Sequence, residues 1–241
     1  GPNAGTDPNT GSRVAEASVV PATNDIDEGI VYVEADNVTI DGMCIDGDNT
    51  SLSGGADLNG VDSNAGYGIL GKVDAFTVTN AVVRNVVRNG IFLWHDYPVE
   101  HSVGHCSITH NKLDNMPEST AEHPEGKGMY VGYNLYADIS HNVLTRVHTG
   151  IQHDNQIDST SQPSIIADNE VASYRIGIWI NHNRQDASEF TVTGNVLTTE
   201  EAAAENKGLV ISSVSGSVSV PASDNSVTGA QHGIALGSIQ T

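Results

Sequence analysis

A glycine followed by alternating apolar residues recurs eight times along this chain. It reads Gly29-Ile-Val-Tyr-Val33, Gly68-Ile-Leu70, Gly90-Ile-Phe-Leu-Trp94, Gly128-Met-Tyr-Val131, Gly150-Ile-Gln152, Gly177-Ile-Trp-Ile-Asn181, Gly208-Leu-Val-Ile211 and Gly233-Ile-Ala-Leu236. The shortest interval is 22 residues, from Gly68 to Gly90 and again from Gly128 to Gly150, and longer intervals read as the same unit with a loop inserted. Alternation with period two predicts a short β-strand after each glycine. A second element sits inside the unit: an apolar residue, two more, Asn, one more, then another apolar residue. It appears as Ile108-Thr-His-Asn111-Lys-Leu113, Ile139-Ser-His-Asn142-Val-Leu144, Ile166-Ala-Asp-Asn169-Glu-Val171, Val192-Thr-Gly-Asn195-Val-Leu197 and Ala222-Ser-Asp-Asn225-Ser-Val227. Asn80 and Gly42 read as holding the matching place earlier.

One such unit cannot bury its own apolar face, so units must stack on one another. Asn and Gly tolerate the left-handed backbone of a tight corner, and stacked Asn side chains can bond from unit to unit. The strict hexapeptides of a left-handed β-helix are absent, as is the longer blade unit of a propeller. The expected fold is all-β: a right-handed parallel β-helix, a solenoid of about eight coils with inserted loops, with residues 1–241 as a single domain. The abrupt opening on Gly1-Pro2-Asn3 and the stop at Thr241 read as a piece excised from a longer protein. Partners in keeping with that reading are further β-helix coils or a homo-oligomer.

Alternation also sorts the side chains of the Gly-Ile strand. Ile69, Ile91, Met129, Ile151, Ile178 and Leu209 form the inward column. Leu70, Phe92, Tyr130, Gln152, Trp179 and Val210 face out, followed by Lys72, Trp94, Gly132, Asp154, Asn181 and Ser212. Next come His95, Tyr133, Asn155 and His182. Long insertions at 46–66, 114–127 and 199–207 precede this strand, and others at 95–103, 155–163 and 182–189 follow it. Loops along both edges of one sheet predict a walled groove. Its exposed rings beside amides and carboxylates fit a sugar, so Phe92, Trp94, Tyr133, Gln152, Trp179 and Asn181 are the candidate contacts to a polysaccharide. The candidates for chemistry are Lys72, His95, Asp96, Tyr130, His153, Asp154, His182 and Arg184. Asp96 and Asp154 have the make-up of a glycoside-hydrolase acid/base pair. A His, Tyr or Lys is the base that a polysaccharide lyase or epimerase needs, with Arg184 or Lys72 against the substrate carboxylate.

Charge narrows the partners. Thirty acidic residues oppose ten basic ones, a formal net of −20. That balance excludes nucleic acid, which is bound through Lys and Arg, and an anionic membrane surface. It suits a chain kept soluble in high salt, a halophilic composition. It also opposes a polyuronate unless calcium or clustered cations intervene. Arg84, Arg88, Arg146 and Arg175 fall on one side of the coil, shortly before the Gly-Ile strand. No run of about 18 apolar residues is present, so membrane insertion is not expected.

Two metal readings arise. The loop carrying Asp46, Asp48, Asp57 and Asp62 is rich in oxygen ligands and makes Ca2+ the candidate cofactor, although its spacing is not that of an EF-hand. His110, His141 and Asp168 share one register in successive coils, a second candidate set. Cys44 and Cys106 lie two coils apart, beyond disulfide reach, and are expected as two buried thiols.

The repeats from Gly29 onward resemble the pectin-lyase-like β-helix superfamily, with its carbohydrate-binding, sugar-hydrolase and NosD-type members. The opening Gly1-Pro2-Asn3-Ala4-Gly5, with Arg13 and Glu16-Ala17, is similar to an early segment of secreted β-helices. The resemblance implies a parallel β-helix located outside the cell or at its surface. Ile178-Trp179-Ile180-Asn181-His182-Asn183 is similar to the Trp-Ile-Asp-His pattern of pectate lyases, with Asn181 in place of Asp. The Arg-x-Pro-x-x-Arg motif of that family is absent, as are the Asp-Asp, Gly-His-Gly and Arg-Ile-Lys motifs of polygalacturonases, so neither activity is carried over. Two functions remain: a secreted protein that binds, cleaves or epimerises a polysaccharide, and a structural or adhesive module of a cell-surface, filament or tailspike protein.

Overall fold

The computed structural model describes residues 1–15, 17–73, 75–94, 105–117, 126–132, 135–154, 163–182, 187–199, 205–213 and 217–237. Among them every regular element is a β-strand. All pairings between strands are parallel except one hairpin, Ala56–Leu58 with Val61–Ser63. The chain is therefore all-β and built from parallel sheets. The hairpin turns on Asn59 and Gly60, both at positive φ, as a tight two-residue connection requires.

The strands form three ladders. The first follows the repeated glycine: Asp25–Val33, Ala65–Lys72, Asn89–Trp94, Lys127–Gly132, Val143–Asp154, Glu170–His182, Lys207–Ser213 and His232–Gly237. The second runs through Val38–Asp41, Phe76–Thr79, His105–Thr109, Tyr136–Ser140, Ser164–Ala167 and Ala187–Thr193. The third begins with Cys44–Asp46, Val82–Arg84 and Lys112–Met116. It shares the long strands Val143–Asp154 and Glu170–His182 with the first ladder, then continues through Val196–Thr199 and Ser226–Thr228.

Each ladder contributes one apolar column to a common core. Ile69, Ile91, Met129, Ile151 and Ile178 come from the first, Val78, Ile108, Ile139, Ile166 and Val192 from the second, and Val83, Leu113, Leu144 and Val171 from the third; none is exposed. Cys44 and Cys106 are both buried and unbridged, as expected.

The repeated glycine has a steric cause. A Cβ on Gly150 would stand 2.3 Å from Val171 Cγ1 and 2.4 Å from the Gly177 carbonyl oxygen. On Gly128 it would stand 2.4 Å from Leu144 Cδ2. Carbon atoms in contact need about 3.5 Å, so any side chain here would drive the first ladder away from the third. The strand also breaks its alternation just before this glycine, where the register slips at Val147 and Thr149.

Two register expectations are corrected. Gly29 pairs with Tyr67 rather than Gly68, so Val31, not Ile30, stands beside Ile69. Asn80 and Gly42 do not hold the place of Asn111. They align with His110, His141, Asp168, Gly194 and Asp224, all at positive φ, one residue before the repeated Asn. The left-handed corner and the Asn are thus separate positions with separate tasks.

The Asn side chains form a continuous buried ladder. Asn111 donates its backbone N–H and its Nδ2 to Asn142 Oδ1, at 2.9 and 3.0 Å. Asn142 does the same to Asn169, Asn169 to Asn195, and Asn195 to Asn225. The second Nδ2 hydrogen of each reaches a carbonyl of the preceding corner, for example Ile108 O at 2.8 Å from Asn142. Leaving one buried donor or acceptor unpaired costs about 1–3 kcal/mol. Asn142→Ala orphans the N–H and Nδ2 of Asn111 and the carbonyl of Ile108, and should lower the unfolding free energy in urea by about 3 kcal/mol or more. Asn225→Ala, at the partly exposed end of the ladder, should cost clearly less. Equal losses at the two positions would refute the ladder's cumulative role.

Candidate functional site

On the outer side of the first ladder the two expected columns are in register. Leu70, Phe92, Tyr130, Gln152, Trp179 and Val210 are consecutive partners, and so are Lys72, Trp94, Gly132, Asp154, Asn181 and Ser212. Their side chains divide the face in two. At one end, Phe92 stacks on Trp94 at 4.9 Å between ring centroids and on Tyr67 at 5.6 Å, and Tyr130 tilts against it at 4.8 Å. All but Tyr130 are part-exposed.

Further along, the rings give way to a connected set of polar groups. Tyr130 Oη donates to Asp154 Oδ2 at 2.9 Å. Gln152 Nε2 donates to both Asp154 oxygens, at 3.0 and 2.9 Å, and Asn181 also bonds to that carboxylate. Ser212 Oγ donates to Asn181 Oδ1 at 3.0 Å and accepts from Trp179 Nε1 at 2.9 Å. Burial raises the pKa of Asp154. The hydrogen bonds from Gln152, Tyr130 and Asn181 and the nearby Lys127 charge pull it back only in part. Gln152 Oε1 is buried without a partner among the described residues. The set therefore holds one carboxylate of raised proton affinity, ringed by donors, and one fixed acceptor left open.

The remaining candidates for chemistry separate. Lys72 is exposed at the far end of the face, three strand spacings or about 14 Å from Asp154. His153 is corrected out of the groove: it stands in the inward column between Val131 and Ile180, fully buried. Its ring meets Phe190 edge-on at 5.0 Å and its Nε2 bonds Ser164 Oγ at 3.0 Å. Gln152 and Asp154 face out, so the residue between them must face in. His182, next after Asn181, is fully buried for the same reason. His95, Asp96, Tyr133 and Arg184 lie outside the described residues, as do 95–104, 118–125, 155–162, 183–186 and 200–204, which include parts of five of the six expected groove walls.

The calcium expectation finds no converging ligands. Asp46 is engaged by Arg84 Nε and Asn85 Nδ2, each at 2.7 Å. Asp57 caps the hairpin through Gly60 N–H at 2.7 Å. Asp48 is raised by burial and by the charges of Asp46 and Asp62. His110 and His141 stack face to face at 4.8 Å, with Asp168 3.9 Å from His141 Nε2, lined up along the corner rather than around a point. Among the described residues, no three His, Cys, Asp or Glu side chains are arranged to hold a metal ion.

One feature of the face was not expected from the sequence. A cavity of about 480 Å³ opens over Trp179 and Ser212 and is lined by Lys127, His148, Arg175 and Lys207. Lys127 Nζ also lies 5.6 Å from the Tyr130 ring centroid, joining the cavity to the aromatic end. The signal was present in the sequence. Each of these basic residues stands one or two places before the repeated glycine, where the break in alternation turns it onto the face.

Burial lowers His153 from 6.5 to about 3. In the unfolded chain it binds a proton below about pH 6.5, and in the folded chain it does not until about pH 3. Its contribution therefore falls as pH drops through this window, by up to about 1.4 kcal/mol per pH unit. His153→Leu should flatten the decline of unfolding free energy between pH 6.5 and 4.5 relative to wild type. Parallel pH profiles would show that His153 is not held neutral. No protein family, curated protein or solved structure matches this chain.

Proposed function

We propose that this chain is a right-handed parallel β-helix of pectin-lyase-like build that acts outside the cell, binding a polysaccharide along the outer face of its first ladder. The observation that carries this reading is the row Tyr67, Phe92, Trp94 and Tyr130, which passes without a break into the Asp154 network and the cavity over Trp179. A sugar ring has apolar faces and a hydroxylated rim. Stacked rings receive the faces, and fixed amides and a carboxylate receive the rim. Gln152 Oε1 is an acceptor already desolvated and in place for a hydroxyl. Asp154, with its raised proton affinity, is the group to which proton transfer to a bound sugar would fall.

A second reading, a structural or adhesive module, rests on the last strand. Ile234 and Leu236 continue the inward columns there, yet are 60% and 77% exposed. Titrating the protein with neutral and acidic polysaccharides separates the two. The first reading expects binding that falls at least tenfold in Phe92→Ala/Trp94→Ala, a loss of about 1.4 kcal/mol, with the melting temperature little changed because both rings are part-exposed. A folded protein that binds none of them would favour the module.

A further inference from the structure

The cavity over Trp179 runs against the character of the whole chain. Acidic residues outnumber basic ones three to one, yet Lys127, Arg175 and Lys207, three of the ten Lys and Arg residues, line this one space. Among the described residues, no carboxylate lines it. Three other arginines are neutralised at close range: Arg84 by Asp46, Arg88 by Asp27 and Arg146 by Asp114. Arg175 differs, since its contact to Glu205 is 3.8 Å long and both side chains are largely exposed, a geometry that fixes neither partner.

The cations also have an order. Lys127, Thr149, Ile176 and Lys207 are consecutive partners across the ladder, with Arg175 beside Ile176. The positive groups therefore follow one edge of the face for about 14 Å, while Trp179 and Ser212 form the floor next to them. A ring lying on Trp179 would point a substituent at this edge. A carboxylate or sulfate ester is the substituent that a row of Lys and Arg receives.

Resting on the glycan-binding reading, we infer that the ligand is an acidic heteropolysaccharide in which charged residues alternate with neutral ones. The cavity takes the acidic residue and the aromatic end takes a neutral one. Beyond the cavity, a polymer charged at every residue meets Lys72 at the far end of the face and, over most of its length, the field of a −20 chain. A neutral polymer leaves the cationic edge unused.

The test is calorimetric titration with oligosaccharides of equal length from three classes. Hyaluronan and chondroitin sulfate alternate acidic and neutral residues, polygalacturonate and alginate are charged throughout, and cello-oligosaccharides are neutral. Wild type should bind an alternating oligosaccharide best. Arg175→Gln/Lys207→Gln, at an exposed and a part-exposed position, should weaken it at least tenfold and weaken cello-oligosaccharide binding far less, and added salt should weaken it more in wild type than in the variant. Preference for the fully charged or the neutral class overturns the inference, as does an unchanged affinity in the double variant. If Phe92→Ala/Trp94→Ala still abolishes binding in those cases, the glycan face stands and only its charge preference falls. If folded wild-type protein binds none of the three classes, both fall.

Discussion

The buried amide ladder from Asn111 to Asn225 is the constraint on which the rest of this structure depends. Parallel strands by themselves allow a slip of register, and a slip of one residue would turn every outward side chain inward. Asn142, Asn169 and Asn195 close that freedom, because each oxygen accepts two bonds from the preceding Asn and each side-chain nitrogen donates both to the next Asn and to a backbone carbonyl. The bonds are buried, so an error in register leaves several groups unpaired in a place water does not reach. The repeated glycines add a steric condition, bringing the first and third ladders to van der Waals contact.

With register fixed, the outer face follows. Phe92, Tyr130, Gln152 and Trp179 are neighbours only because their strands align residue for residue. They are separated in sequence by 22 to 38 positions, yet they form one row. The polar network is likewise assembled from four strands, each contributing one or two groups. None of these residues would be recognisable as a site within its own repeat, and the chemistry exists only in the stack.

Much of this was legible in the sequence because alternation and the repeated glycine give both phase and direction. The outward columns from Leu70 to Val210 and from Lys72 to Ser212 could be written down residue by residue. What failed did so where the period breaks. Gly29 lies inside the strand Asp25–Val33, in which Val31, not Ile30, stands beside Ile69, so the first unit slipped by one. His153 was grouped with the groove by its chemistry, although its position between Gln152 and Asp154 already turned it inward. Lys127 and Lys207 immediately precede their glycines, where strict alternation would turn them inward with Met129 and Leu209, so of the cationic edge only Arg175 was read. The Asp-rich loop was read by composition alone, and two of its carboxylates have other partners: Asp46 holds Arg84 and Asn85, and Asp57 caps a hairpin turn.

The assembly of the cavity from the strands Lys127–Gly132, Val143–Asp154, Glu170–His182, Lys207–Ser213 and His232–Gly237 has a bearing on cooperativity. In the stacked solenoid proposed above, each unit is stabilised by its neighbours alone, so fraying can begin at an end and move inward one unit at a time. A molecule seated in this cavity would touch several units at once and so bind only when all of them are closed. Its binding free energy would then act as a long-range coupling in an otherwise nearest-neighbour system, welding the last units into one cooperative block. The units before Lys127 would keep their own opening equilibrium. Occupancy would thus be written into the chain as a boundary between a segment that opens freely and one that opens only as a whole.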